Sequence, residues 1–259
     1  MAVRQPARGV LRRRLFCFPY GGGGAAAFRH WQKGLADDIE VVAMQLPGRE
    51  TRLREAPLSS ITAMVDACLP LLEDNELPCA LFGHSLGALV AFETALALEC
   101  RGARPPAHVF VSARRPPDER EAHSPIAGFD DARFIAELQA RHAAIPAAVM
   151  REPELLALFL PTLRADIGAF ENYVCTPRQL ASPLHVFGGT ADRNPRPEQL
   201  PGWQRMALQP IRVRLFDGDH FFMASQRVAL LADIDAAWPA GPAPAAQRRR
   251  MSGRAVEEV

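Results

Sequence analysis

The chain has 259 residues, 48% of them apolar, enough to build one large domain with a substantial core. Lys and Arg number 30 against 29 Asp and Glu, and nothing in a net charge of +1 suggests the basic footprint of a nucleic-acid or membrane-surface protein. No apolar run reaches membrane-spanning length, no signal-peptide core follows the N-terminal arginines, and five scattered cysteines without a C-x-x-C pair suit the reduced thiols of a cytoplasmic protein.

Residues 1–14, with Arg4, Arg8, Arg12, Arg13 and Arg14, read as a flexible basic segment. From there strands and helices alternate, the order of a mostly parallel sheet covered on both faces. RLFCF (Arg14 to Phe18) is a strand that runs into the glycine-rich FPYGGGGAAAF, and AAAFRHWQKGLA continues as a helix. IEVVAMQL (Ile39 to Leu46) is a second buried strand, and SITAMVDACLPLLED an amphipathic helix with Ile61, Met64, Val65, Cys68 and Leu72 at helical spacing. PCALFGHS is a strand to Phe82, followed by the helix LGALVAFETALALECRG, which stops at Gly102. AHVFVSA (Ala107 to Ala113), SPLHVFGG (Ser182 to Gly189) and IRVRLFDG (Ile211 to Gly218) are the remaining strands, and RVALLADIDAAW the closing helix. The stretch of about 114–181 has helical segments but no strand; too long for a bare loop, it reads as a helical lid inserted into one α/β domain spanning 15–238. Residues 239–259, rich in Pro, Ala and Arg, read as a disordered tail.

GHSLG (Gly83 to Gly87) is a G-x-S-x-G pentapeptide standing between a strand and a helix, the setting of a nucleophile elbow. The helix that follows directs free N–H groups and its dipole at Ser85. A serine hydroxyl needs a base oriented by an acid, in the chain order Ser, Asp or Glu, His. His220, in DGDHFFM just past the last strand, is the candidate base. Among the acids, Asp192 in VFGGTADRNP follows a strand and precedes His220. Asp217 and Asp219 are too close in sequence to fold back onto its ring, and the loop after the preceding strand offers Arg114 and Arg115 where an acid would be needed.

The four glycines invite two readings. A phosphate loop would need a lysine that is missing, and a dinucleotide fold would need an acid at the tip of the second strand, where Gln45 stands. In an elbow hydrolase the same loop supplies an oxyanion-hole N–H, paired with that of the residue after the nucleophile. Leu86 is then one donor and Gly21 the other, with Tyr20 the alternative.

FPYGGGGAAAFRHW, MQLPGRETRLRE, LFGHSLGALVAFETA, LPTLRADIGAFENY, VFGGTAD and FDGDHFFM together resemble the type II thioesterases that accompany polyketide synthases and nonribosomal peptide synthetases. The resemblance runs from about Leu15 to Trp238 and implies an α/β-hydrolase fold. It also implies a Ser85–Asp192–His220 triad and hydrolysis of acyl groups held as thioesters on the phosphopantetheine arm of a carrier protein, without metal or cofactor. QLPGRE and LRAD are segments that a general esterase would not share; in the first, a turn at Pro47-Gly48 places Arg49 near the sheet edge. Tyr20, Phe129, Phe134 and Phe159 are the candidate substrate-lining residues, although packing of the lid accounts for the phenylalanines equally well. The expected partner is an acyl or peptidyl carrier domain, with no nucleic acid or membrane, and the expected state a monomer. Two other readings keep the same residues: a serine hydrolase of small esters or free acyl-coenzyme A, and a hydrolase-fold binding module without turnover.

Overall fold

The computed structural model describes residues 1–119, 124–142 and 147–239. His123 and the tail from residue 240 onward lie outside the described residues. Seven strands form one sheet in the order β1-β3-β2-β4-β5-β6-β7. These are β1 (Ala2–Gln5), β2 (Arg13–Phe18), β3 (Ile39–Met44), β4 (Cys79–His84), β5 (His108–Ser112), β6 (Leu184–Gly189) and β7 (Arg212–Phe216). All neighbouring pairs are parallel except β1 against β3. The central strands are buried on both faces, which is why β3 and β4 read as unbroken rather than alternating apolar runs.

The N-terminal segment is not a flexible arm. Ala2–Gln5 pairs with β3, and its arginines and their neighbours meet acids around that strand. Arg4 and Arg14 both reach Glu40 (2.8 and 2.7 Å), Arg8 reaches Asp37 (2.6 Å), and Arg13 reaches Asp38 (2.6 Å). A four-residue edge strand gives little periodicity to read, and paired charges look like solvated ones until their partners are known.

Helices α1 (Ile61–Glu73) and α2 (Leu86–Cys100) cover one face, where they pack with Phe16, Leu81 and Val109 into the larger core. α1 is capped by Ser60, whose hydroxyl accepts from Ala63 N–H at 3.1 Å. The other face is covered by α6 (Phe222–Ser225), α7 (Arg227–Ala237) and two 3₁₀ turns, with Phe28, Trp31 and Phe82 edge to face in its core. The helix expected over Ala25 to Ala36 is replaced by those turns, Ala25–Phe28 and Trp31–Gly34, broken at His30 with φ 68°. Burial of Phe28 and Trp31 against the sheet sets this path and overrides helical propensity.

Between β5 and β6 stand α3 (Asp131–His142), α4 (Ala147–Met150) and α5 (Pro153–Glu171). They share a small core of their own, with Ile126, Phe134, Leu138, Leu160 and Leu163. No helix among the described residues is long and apolar enough to cross a membrane.

Candidate active site

Ser85 follows β4 directly, and α2 starts at the next residue. Its backbone has φ 56° and ψ −116°, a conformation costing a non-glycine residue on the order of 1–3 kcal/mol. The flanking glycines are a steric requirement. A Cβ on Gly83 would overlap the Gly87 carbonyl, and one on Gly87 would overlap the carbonyls of Phe18 and Pro19. The second approach sets the elbow against the start of the glycine loop.

His220 Nδ1 stands 2.9 Å from Asp192 Oδ2, and its Nε2 stands 3.0 Å from Ser85 Oγ. A carboxylate only accepts, so Nδ1 carries the proton and Nε2 faces the hydroxyl with its lone pair. The other oxygen of Asp192 accepts from Asn194 N–H at 2.9 Å. Asp192 and His220 are buried, and Ser85 is partly open to solvent. Asp219 is turned to its own loop, accepting from Phe221 N–H at 2.8 Å. Among the described residues, the N–H groups of Gly21 and Leu86 donate to no protein acceptor, and both residues border the cavity at Ser85.

That cavity has a volume of about 70 Å³. Ile126, Leu138, Leu163 and Phe170 from the lid and Tyr20, Leu86 and Phe221 from the core line it, with Arg114 and Arg141 at its polar side. Of the lid phenylalanines singled out in the sequence, none borders it. Phe134 is fully buried in the lid's own core and Phe129 packs against that core beneath Arg133. Phe159 instead lines a second cavity of about 530 Å³, beyond Tyr20 and Phe221, whose rings meet edge to face at 5.1 Å. Helical periodicity marks which lid residues are apolar but not which of two apolar faces meets the core, so Leu138, Leu163 and Phe170 could not be singled out.

The glycine loop hangs from side chains of two distant segments. Ala25 N–H donates to Gln45 Oε1 (2.8 Å), Ala26 N–H to Glu50 Oε1 (3.0 Å), and Gly22 N–H to Asp166 Oδ2 (2.7 Å). Asp166, on α5, also receives both terminal nitrogens of Arg49 at 2.9 and 3.0 Å. Arg49 further donates to the Gly23 carbonyl at 3.1 Å, and Thr162 donates to the Gly48 carbonyl. Arg49 is 3% exposed and Asp166 0%, so Arg49 is an internal strut and not an edge cation. Burial pushes the Asp166 carboxyl up while Arg49 and Gly22 N–H pull it down. QLPGRE and LRAD are thus two halves of one contact, separated by 117 positions.

His84 is fully buried beside the serine. Its Nε2 lies 2.8 Å from the His220 backbone carbonyl and its Nδ1 2.9 Å from Ser112 Oγ. Burial first, and the neighbouring His220 second, push its pKa down to about 3, so the ring is neutral.

The thioesterase domain model matches residues 13–238. Gramicidin S biosynthesis protein GrsT of Aneurinibacillus migulanus is 34% identical over 88% of this chain and 90% of its own. Among solved structures, the RedJ thioesterase of the prodiginine pathway in Streptomyces coelicolor has a TM-score of 0.80 at 35% identity, covering 89% of this chain and 87% of the other. YbtT, a type II thioesterase of the yersiniabactin pathway, has a TM-score of 0.79 at 34% identity, covering 91% and 97%. With an α/β-hydrolase sheet, an elbow serine and this likeness along nearly its whole length, the chain belongs to the thioesterase domain family, as a type II thioesterase of nonribosomal peptide and polyketide biosynthesis.

Proposed function

We propose that this thioesterase hydrolyses short acyl groups from the phosphopantetheine arm of a carrier protein through an acyl-Ser85 intermediate, clearing stalled or misprimed carriers. The observation that carries the reading is the continuous chain Asp192–His220–Ser85, at 2.9 and 3.0 Å, opening on a cavity of about 70 Å³. His220 Nε2 takes the hydroxyl proton as Ser85 Oγ attacks the thioester carbon, and Asp192 holds the ring and balances the imidazolium. The tetrahedral oxygen rests on the N–H groups of Leu86 and Gly21, with Tyr20 N–H the alternative to Gly21; a donor of this kind is worth roughly a hundredfold or more in rate. The pantetheine thiol leaves with the proton from His220, and water then repeats the sequence on the acyl-serine. A cavity of this volume encloses only a few carbon atoms, which favours short acyl groups over fatty chains.

Single-turnover release of propionyl from a phosphopantetheinylated carrier, compared with propionyl-coenzyme A, tests the reading. Faster release from the carrier is expected, and Ser85→Ala is expected to slow it by at least about a thousandfold. Equal or faster release from coenzyme A would replace the carrier with a small thioester as substrate. Turnover that survives Ser85→Ala would overturn the triad assignment.

A further inference from the structure

More than its carboxylate holds the base in place. Asp192 fixes the imidazole of His220, whereas the backbone of the same residue is fixed by His84, the residue preceding the nucleophile. A carbonyl oxygen can only accept, so His84 Nε2 carries the proton it donates to His220. In the neutral ring Nδ1 is then an acceptor, and the Ser112 hydroxyl at the end of β5 donates to it. The His220 carbonyl thus fixes the tautomer, and the Ser112 hydroxyl, able to donate or accept, satisfies the remaining nitrogen of the buried ring. Ring contacts complete the setting: His84 lies edge to face with His220 at 5.6 Å and with Tyr20 at 6.1 Å.

The segment bearing the base is otherwise tied to the sheet at one remove. Ala191 N–H donates to the Gly218 carbonyl at 2.9 Å, and Gly218 turns with φ 131°. Next to it, a Cβ on Gly189 would overlap the carbonyls of Gly218 and Asp219, so β6 supports this turn from below. These contacts locate the turn, not the base. Between Ser85 and His220, the route through the His84 side chain spans one peptide and one hydrogen bond. The route through the sheet runs from β4 across β5 and β6 to the end of β7.

We infer that His84 is a positioning residue, which registers the general base against the nucleophile by holding the His220 carbonyl, with Ser112 satisfying its other ring nitrogen. The inference rests on the assignment of Ser85 and His220 to catalysis. An error of about 1 Å in such a registry costs on the order of a hundredfold in rate. Being neutral, His84 places no second positive charge beside the imidazolium that forms during each acyl transfer.

Two isosteric changes separate its two hydrogen bonds. In His84→Gln the amide N–H takes the place of Nε2–H and keeps the bond to His220 while losing Ser112. In His84→Asn the amide stays near Ser112 and loses His220. Propionyl-pantetheine hydrolysis is measured for both, with melting temperatures alongside. The expected result is kcat within about fivefold of wild type for His84→Gln. For His84→Asn a fall of tenfold or more is expected, with KM changed less than about twofold. If His84→Asn is too unstable to assay, His84→Met, which fills the space of the ring without a donor for the His220 carbonyl, provides the second measurement, with kcat reduced tenfold or more and KM unchanged. Equal kcat in the two amide variants, or loss of activity that merely follows melting temperature, would overturn the inference while leaving the triad standing. A wild type without Ser85-dependent hydrolysis would overturn the triad reading and this inference together.

Discussion

Gly87 has no functional group, yet the elbow has no room for a single methyl on it. Its Cα faces the carbonyls of Phe18 and Pro19, where backbone leaves no side chain to swing aside. Gly87→Ala must push α2 away from the glycine loop, which is expected to cost about 1–3 kcal/mol and to separate the Leu86 amide from Gly21. Thermal melting together with kcat would check this: a stable variant with wild-type turnover would mean that the loop yields freely. This part of the site was legible because strand, turn and helix are contiguous from Cys79 to Gly102, and each supports the others locally. Ser85 was marked by its pentapeptide, and His220 and Asp192 by chain order and their places after strands; the structure brings the three within hydrogen-bonding reach. The partner of Arg49 could not be chosen in this way, because Asp166 lies 117 residues away on a helix whose register with the loop only folding determines.

At the scale of elements, α5 and the residues just after it tie the insertion to the core. Asp166 joins it to Arg49 and the glycine loop, Thr162 reaches Gly48, and Tyr173, just beyond its end, donates to Glu93 on α2. Removing one member of a buried ion pair strands the other, typically at about 3–5 kcal/mol. Asp166→Ala is accordingly expected to lower the free energy of unfolding by that amount, and Arg49→Ala by a similar one. The double substitution should cost much less than the sum, a coupling that a double-mutant cycle measures directly. Near-additive costs would show that the two side chains are not the strut described. The presence of helices between Ala113 and Ser182 was legible from composition and length, whereas the face they turn to the cavity was not. Phe134 and Leu138 both sit in the lid core, but only Leu138 reaches the cavity wall.

For the whole molecule, buried neutral histidine links stability to pH. His84 takes up its proton near pH 3 in the folded chain and near 6.5 when unfolded. Between those values the unfolded state binds more protons, so stability is greatest above about 6.5 and falls as the solution is acidified toward 3. One such group contributes a slope of up to about 1.4 kcal/mol per pH unit in that window. His185, pushed down to about 4 by burial and then by His108, acts in the same direction, reduced by its partial exposure. Chemical denaturation of wild type and His84→Gln at pH 7 and pH 5 is expected to show a smaller acid loss in the variant; parallel losses would mean that His84 titrates normally. The sheet order was legible in outline from alternating strands and helices. Its first strand was hidden by arginines whose partners, Asp37, Asp38 and Glu40, are identified only by the fold.

The strut between Arg49 and Asp166 also divides the insertion into parts of unequal exchangeability. α3 and α4 contribute no member of the strut, although α3 shares the lid core with α5, whereas any exchange that runs through Asp166 leaves a guanidinium buried without its carboxylate. In modular terms α5 belongs with the sheet, as an outlying member of its scaffold. Exchanges confined to the segment before α5 would alter the cavity wall at Ile126, Leu138 and Arg141 and leave the strut in place.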